Sequence, residues 1–290
     1  MNKQIIIFGY GYVSSFLIKH FKDSNWDIYC TSRKVDLSNP VKNGNVTIIN
    51  FLDPEIPAII KSSNICLSTI PPSDKIIDPV LAQYFKEISS NTLFEWIGYL
   101  SSTSVYGDHF GSWVNEKTLC VPSNKKAKLR FIAEQQWLKF YNQNNLPIHI
   151  LRLSGIYGPN RNCLEQIMSG KDYTIAKKDH YFSRIHVNDI CMAIKASIKY
   201  PTKGEIYNIS DNEPAPLNIV QQFGASILDK EQLKEIPFEQ CKLSEQAKCF
   251  FDDNKKISNQ KIKATLKVTW AYPNYRIGLI TGCLPYLSKS

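Results

Sequence analysis

QIIIFGYGYVSS, residues 4–15, decides the fold. Ile5, Ile6, Ile7 and Phe8 form a short apolar, β-branched run of the kind found in a strand buried on both faces. Gly9 and Gly11 follow at once, and Val13, Phe16, Leu17 and Phe21 then recur on one face of a predicted helix. Strand, glycine turn and helix in that order are the setting in which a GxGxxG pattern carries meaning. Gly9 permits the tight turn, Gly11 lets a diphosphate approach the backbone without meeting a Cβ, and the N–H groups and positive dipole end of the helix favour negative charge. Gly9, Tyr10, Gly11, Tyr12 and Val13 are therefore the candidate cradle of a dinucleotide. Ser14 stands at the third position of the pattern, where glycine or alanine is usual and the residue only spaces the helix from the strand. Taken alone, the turn reads equally well as a glycine corner that binds nothing.

The 290 residues suffice for one large domain or two unequal ones, and 43% hydrophobic content is ordinary for a globular protein. No apolar run is long enough to cross a bilayer, and strand one begins too early to leave room for a signal peptide, so a cytoplasmic protein is expected. The eight cysteines show no CxxC pair or metal-ligand spacing, which predicts reduced thiols, no disulfide framework and no metal site. The net charge of +9 is dispersed and mostly lysine, a solvated face rather than a nucleic-acid surface. It suits a small anionic ligand.

Trp26–Thr31 reads as strand two, and the residues at its end bear on which dinucleotide fits. A carboxylate there would hold both ribose hydroxyls of NAD; the chain instead has Thr31-Ser32-Arg33-Lys34. Ser32 and Arg33 suit an adenosine 2′-phosphate, so NADP is favoured over NAD, with Asp36 as the missing carboxylate only if the strand ends later. Val46–Phe51 is strand three, followed by Asp53, from which a carboxylate can reach an adenine amino group. Strand four, Ser63–Ile70, ends in Thr69-Ile70-Pro71 at the carboxyl edge of the sheet, where cofactors lie. A helix over 75–89 and strand five over 93–101 complete this part.

Strand five runs into Tyr99-Leu-Ser-Ser-Thr-Ser-Val-Tyr-Gly107, and Leu151-Arg-Leu-Ser-Gly-Ile-Tyr-Gly-Pro159, Arg184-Ile-His-Val-Asn-Asp-Ile190 and Tyr207-Asn-Ile-Ser-Asp-Asn-Glu-Pro214 follow in order. With the glycine fingerprint, these motifs resemble the extended short-chain dehydrogenases/reductases, the group of NAD-dependent epimerases and dehydratases, over nearly the whole chain. The resemblance implies that Ser102, with Thr103 as adjacent substitute, holds the reacting oxygen of a substrate.

The family's acid/base pair is Tyr-xxx-Lys, shortly before an Ala-Glu pair on a helix. Ala133-Glu134 is present, and counting back places Lys126 at the tyrosine position and Arg130 at the lysine position. In the family's mechanism the lysine and cofactor lower the phenol's pKa so that it exchanges a proton with the carbinol. Arg130 can hold the nicotinamide ribose hydroxyls but is no general base. Lys126 could transfer a proton only if burial lowered its pKa strongly, and its basic neighbours point to an exposed helix start. Tyr106 is the other candidate proton donor, or a wall of the pocket. The pattern is similar to an atypical subgroup lacking the standard tyrosine.

Ile148–Leu153 is strand six. In the second half, His186 is weighed as a packing residue, Asn188 or Asp189 as a helix cap, Glu205–Ile209 as a strand and Pro216–Leu228 as a helix. In the tail, Leu243–Phe251 is followed by Asp253-Asn-Lys-Lys-Ile-Ser-Asn259, a helix and Tyr272–Leu279, and the last two motifs resemble the family's closing region, which builds the substrate lid and final helix. Arg161, Lys255 and Arg276 read as solvated cations that an anionic substrate group could meet.

The expected fold is α/β: a Rossmann-type doubly wound parallel sheet over residues 1–155, with segments at about 181–230 returning to it, and a smaller mixed α/β substrate lobe over 156–290. The substrate is expected in the cleft between them. The expected function is an NADP-dependent (or NAD-dependent) oxidoreductase or epimerase-like enzyme acting on a sugar-like or nucleotide-sugar carbinol or carbonyl. A catalytically silent NADP(H)-binding sensor or scaffold is the alternative. The resemblance also implies a homodimer, and no nucleic-acid or membrane partner is expected.

Overall fold

A computed structural model describes residues 3–21, 25–36, 39–244 and 248–287. Part of the predicted 243–251 tail segment lies outside these residues. Contacts divide the chain into two units: residues 1–102, 128–152 and 191–207 form the first, and 103–127, 153–190 and 208–290 the second.

The first unit is built on a mostly parallel eight-stranded sheet. Its elements in chain order are β1 (Lys3–Phe8), α1 (Tyr12–Lys19), β2 (Trp26–Ser32), β3 (Val41–Asn43), β4 (Val46–Asn50), α2 (Ile56–Ser62), β5 (Ile65–Ser68), α3 (Pro79–Ser90), β6 (Trp96–Ser102), α4 (Lys125–Asn144), β7 (Ile148–Leu153), α5 (Val187–Lys199) and β8 (Ile206–Ile209). The strand order is β8-β7-β6-β5-β1-β2-β4-β3. This is the Rossmann-type order that the alternation of apolar strands and amphipathic helices predicts. β1 lies between β2 and β5, parallel to both, with Ile6 beside Tyr29 and Cys66. Ile5, Ile6, Ile7 and Phe8 are fully buried, each such side chain contributing about 2 kcal/mol by removal from water.

Two boundaries differ from the sequence expectation for identifiable reasons. α3 starts at Pro79 rather than 75, because the buried Asp78 carboxylate accepts from the amides of Val80 and Leu81, both at 2.9 Å, and Pro79 fits a first helical position. β3 was not anticipated. It pairs antiparallel with β4 across a two-residue turn at Gly44-Asn45, with Gly44 at φ +61.

The second unit carries short two-stranded pairs and helices. Arg184–His186 pairs parallel with Gly155–Tyr157, Tyr173–Ala176 with Lys234–Pro237, and Lys256–Ile257 with Trp113–Val114. Tyr157, Leu164, Ala215, Val220, Tyr275, Leu279 and Cys283 form one of its cores. Among the described residues no helix is long and apolar enough to cross a membrane.

Candidate functional site

In the first unit, the turn after β1 is closed on one side and open on the other. Gly9 has φ +104, and a Cβ on it would lie 2.6 Å from the Thr69 hydroxyl oxygen, so only glycine fits. Gly11, in extended conformation, is the residue before α1 and has no side-chain cap; a Cβ there would meet nothing within 4 Å. The opening at Gly11, beside first-turn amides that no cap occupies, fits a diphosphate. Tyr10 is about half exposed at this turn, its amide donating to the Thr31 carbonyl at 2.7 Å, while Val13 is buried beneath it. Tyr12 packs its ring on Phe16 at 5.1 Å.

Ser14 is fully buried and its hydroxyl donates to the Gly9 carbonyl at 2.6 Å. The departure from glycine is thus absorbed as a hydrogen bond. The same carbonyl accepts from Thr69 Oγ1 at 3.0 Å, a hydroxyl that also reaches the Phe8 carbonyl at 3.0 Å. Thr69 therefore shapes the turn, with Ile70 against it and Pro71 exposed beyond. Thr31, buried at the end of β2, accepts from the Gly9 amide at 3.1 Å. The expectation did not include Thr31, and no sequence motif flags it.

β2 ends at Ser32, leaving Arg33 exposed in the following turn and Asp36 four residues past the strand. The Ser32 hydroxyl accepts from the Lys34 amide at 3.2 Å. Asp53 is buried, and its Oδ1 accepts from the Glu55 amide at 2.9 Å, so one of its oxygens belongs to the turn into α2.

Two strands away from β1 in the same sheet, β6 ends at the half-buried Ser102. Arg130, on α4, donates to the Tyr99 hydroxyl at 3.1 Å and the Leu100 carbonyl at 3.0 Å. One turn further, the buried Glu134 accepts from Ser101 Oγ at 2.8 Å and forms an ion pair with the buried Arg152 of β7. Burial pushes the Tyr99 phenol up to about 12, with Arg130 opposing the shift. Tyr99 is fully buried and stacked on Trp137, so it is a support for Arg130 rather than an acid in its own right.

In the second unit, Thr103 is buried and its hydroxyl donates to the Leu153 carbonyl at 3.3 Å. Tyr106 is fully buried, and its hydroxyl donates to Asn208 Oδ1 at 2.8 Å. The hydroxyl that the sequence offers as a proton donor or a pocket wall is thus engaged with Asn208 in this structure. Lys126 is exposed near the start of α4.

His186 is buried between Tyr157 and Tyr272, its ring centroid 3.8 Å from that of Tyr272, and burial lowers its pKa to about 4. It is a packing residue. Asp189 does not cap the helix; its two oxygens accept from the amides of Ala271 and Tyr272, at 2.9 and 3.0 Å, tying down the tail. Lys255 is buried and paired with Asp253 at 3.1 Å, in place of the solvated cation expected from sequence. Arg276, by contrast, is exposed and lies 3.4 Å from Glu213, and Arg161 is exposed. Asn254 was also missed: its amide donates to the Asp108 carboxylate and its side chain bonds Tyr181 N and the Asp179 carbonyl, joining two loops.

A family model described as the NAD dependent epimerase/dehydratase family matches residues 89–210. Protein YeeZ of Escherichia coli strain K12 is 35% identical over 113 residues, and the match spans 38% of this chain and 38% of that relative's length. A solved structure of a functionally unknown conserved protein from Silicibacter pomeroyi is 33% identical, covers 99% of each chain and superposes with a TM-score of 0.89. The dTDP-glucose 4,6-dehydratase of Bacillus anthracis, solved in complex with NAD, has a TM-score of 0.82 at 17% identity over 99% of this chain and 97% of that one, and so shares the fold. Together with the fingerprint turn and the ordered motifs, these likenesses assign the chain: it belongs to the NAD-dependent epimerase/dehydratase family.

Proposed function

We propose that the chain binds a nicotinamide dinucleotide, NADP in preference to NAD, and acts as an oxidoreductase or epimerase-like enzyme on a carbinol or carbonyl of a sugar-like substrate. The observation that carries the reading is the contrast between Gly9, closed against Thr69, and Gly11, open to solvent at an uncapped helix start. The nicotinamide, when bound, supplies the hydride donor or acceptor. Gly9–Val13 would hold the diphosphate, Ile70 and Pro71 would border it, and Asp53 would reach the adenine through its second oxygen.

Two features support NADP. Arg33 is exposed where β2 ends, and the Ser32 hydroxyl already accepts from Lys34, which leaves its hydrogen to donate to a 2′-phosphate. Ser102 would hold the substrate's reacting oxygen and Arg130 the ribose hydroxyls. The dehydratase with the same fold is named for a nucleotide sugar, which supports that substrate class.

A second reading, a silent NADP(H)-binding sensor, is supported by one observation: the Tyr106 hydroxyl is buried on Asn208 and Lys126 is exposed. Fluorescence titration with NADPH and NADH, followed by turnover on a panel of carbonyl compounds and nucleotide sugars, separates the two. Micromolar NADPH binding with Arg33→Ala weakening NADPH far more than NADH is the expected result; equal loss of both rejects the NADP preference. Binding with no oxidation of NADPH by any member of the panel favours the sensor.

A further inference from the structure

We propose that Ser14, Thr31 and Thr69 act as a three-hydroxyl clamp that positions the diphosphate cradle, a role in which Ser14 replaces the third glycine of the fingerprint. The proposal rests on the dinucleotide reading above and deepens it. Gly9 is the pivot of the turn, held at φ +104. Its carbonyl accepts from Ser14 Oγ at 2.6 Å and from Thr69 Oγ1 at 3.0 Å, whose single hydrogen is shared with the Phe8 carbonyl at the same distance. Its amide donates to Thr31 Oγ1 at 3.1 Å, and the next amide, Tyr10, donates to the Thr31 carbonyl at 2.7 Å.

The three hydroxyls come from three different elements: Thr31 from β2, Ser14 from the first turn of α1, and Thr69 from just past β5. Ser14 and Thr31 are buried to 1% exposure or less. The peptide units on either side of Gly9 are therefore held by hydroxyls from three elements, two of them buried and that of Thr69 half-buried. Ser14 and Thr69 meet the Gly9 carbonyl as donors, and Thr31 meets the Gly9 amide as an acceptor.

The consequence is directional. A glycine at position 14 would satisfy the usual pattern by close packing, but in this chain it would remove the shortest hydrogen bond on the Gly9 carbonyl and leave that half-buried acceptor with the shared Thr69 hydroxyl. Restoring the family's glycine should therefore harm binding instead of improving it. Thr69 adds a second constraint, since its hydroxyl oxygen would lie only 2.6 Å from a Cβ on Gly9, so the clamp and the positive φ both disfavour a side chain at position 9.

The test measures NADPH affinity by fluorescence titration for the full-length wild type and for Ser14→Gly, Ser14→Ala, Thr69→Val and Thr69→Ser. The two Ser14 variants and Thr69→Val are expected to bind NADPH about tenfold more weakly, the scale of one lost hydrogen bond. Thr69→Ser, which keeps the hydroxyl, is expected near wild type. Competition by 2′-AMP, which has no diphosphate, should be unchanged across the series; a general loosening of the fold would weaken both ligands. If Ser14→Gly does not fold, the Thr69→Val and Thr69→Ser pair carries the same comparison. Wild-type binding with undiminished affinity in Ser14→Gly and Thr69→Val overturns the clamp alone. Failure of the wild type to bind either nicotinamide nucleotide overturns the dinucleotide reading and the clamp with it.

Discussion

The glycine turn and the acid/base position both depart from the family pattern, and they depart in opposite ways. At the turn, Ser14 replaces a small residue, and its hydroxyl is taken up within the same turn by the Gly9 carbonyl. At the two positions that the sequence reading matches to the family's tyrosine and lysine, Lys126 is exposed and Arg130 is turned onto Tyr99 and Leu100. The difference teaches how to read a broken motif. A departure met by a local partner preserves the site's shape, whereas one without a partner changes what the site can do.

The largest effect should come from the device that keeps the altered position in shape. Glu134 and Arg152 are a buried ion pair, and Ser101 donates to the same carboxylate, so α4, β6 and β7 meet at one charge. Glu134→Ala leaves the Arg152 guanidinium buried without its counter-charge, and removing one partner of such a pair costs about 3–5 kcal/mol. Urea unfolding should show that loss. A loss below about 1 kcal/mol would mean that the pair does not hold α4, β6 and β7 together.

Acid should act next, through His149. This ring is buried against Trp96, with Nδ1 at 3.0 Å from the Pro147 carbonyl and Nε2 accepting from the Thr202 amide at 3.1 Å. Burial lowers its pKa to about 4, since a neutral ring is needed to accept from Thr202. Between pH 6.5 and 4 the unfolded chain binds a proton that the folded chain refuses, so stability falls as pH falls through that window, by on the order of 3 kcal/mol at its lower end. Asp189 and Asp211, which burial raises to about 6 and about 8, act in the opposite sense, because the folded state keeps protons that the unfolded state releases as pH rises. The decisive measurement is the difference between wild type and His149→Phe: the variant's stability curve should be flatter between pH 6.5 and 4. Parallel curves would refute the assignment.

How much of this was legible in the sequence follows from the range of the forces. Ile5–Phe8, the glycine turn and the helix after it are fixed by neighbours within a few residues, and they appear in the structure where the sequence predicts them. The strand that opens at Trp26 and the one at Ile148 follow for the same reason. Tyr106 could not be read, because its fate depends on Asn208, 102 residues away. The same holds for Lys255: the aspartate two residues before it was visible, but burial of the pair was not. The clamp was hidden for another reason. Thr31 and Thr69 look like ordinary residues at strand ends until the parallel sheet sets β2 and β5 on either side of β1.

The two glycines sharpen the comparison at a smaller scale. Gly9→Ala must accommodate a positive φ and a Cβ at 2.6 Å from Thr69 Oγ1, so it should destabilise the unliganded protein by about 1–3 kcal/mol. Gly11→Ala meets nothing within 4 Å at an ordinary extended conformation, and its cost to the unliganded fold should stay below about 1 kcal/mol. Dinucleotide affinity should nonetheless fall in Gly11→Ala, because the new methyl occupies the open side of the turn. Thermal unfolding measured beside NADPH titration would separate the two. Equal destabilisation by both substitutions would remove the distinction between a closed and an open face.

The smallest expected effect is also the most informative about the altered position. Lys126 is exposed near the start of α4, so Lys126→Ala should change stability by no more than about 0.5 kcal/mol and leave NADPH affinity unchanged. If turnover is found on any substrate, its rate and pH profile should be unchanged in this variant. Arg130→Ala should differ, because Arg130 bonds both Tyr99 and Leu100 and is the residue proposed to hold the ribose. A Lys126→Ala variant that loses activity while keeping its stability and NADPH affinity would show that the exposed amine reaches the substrate. The position would then belong with the turn, as a departure whose partner arrives with the ligand.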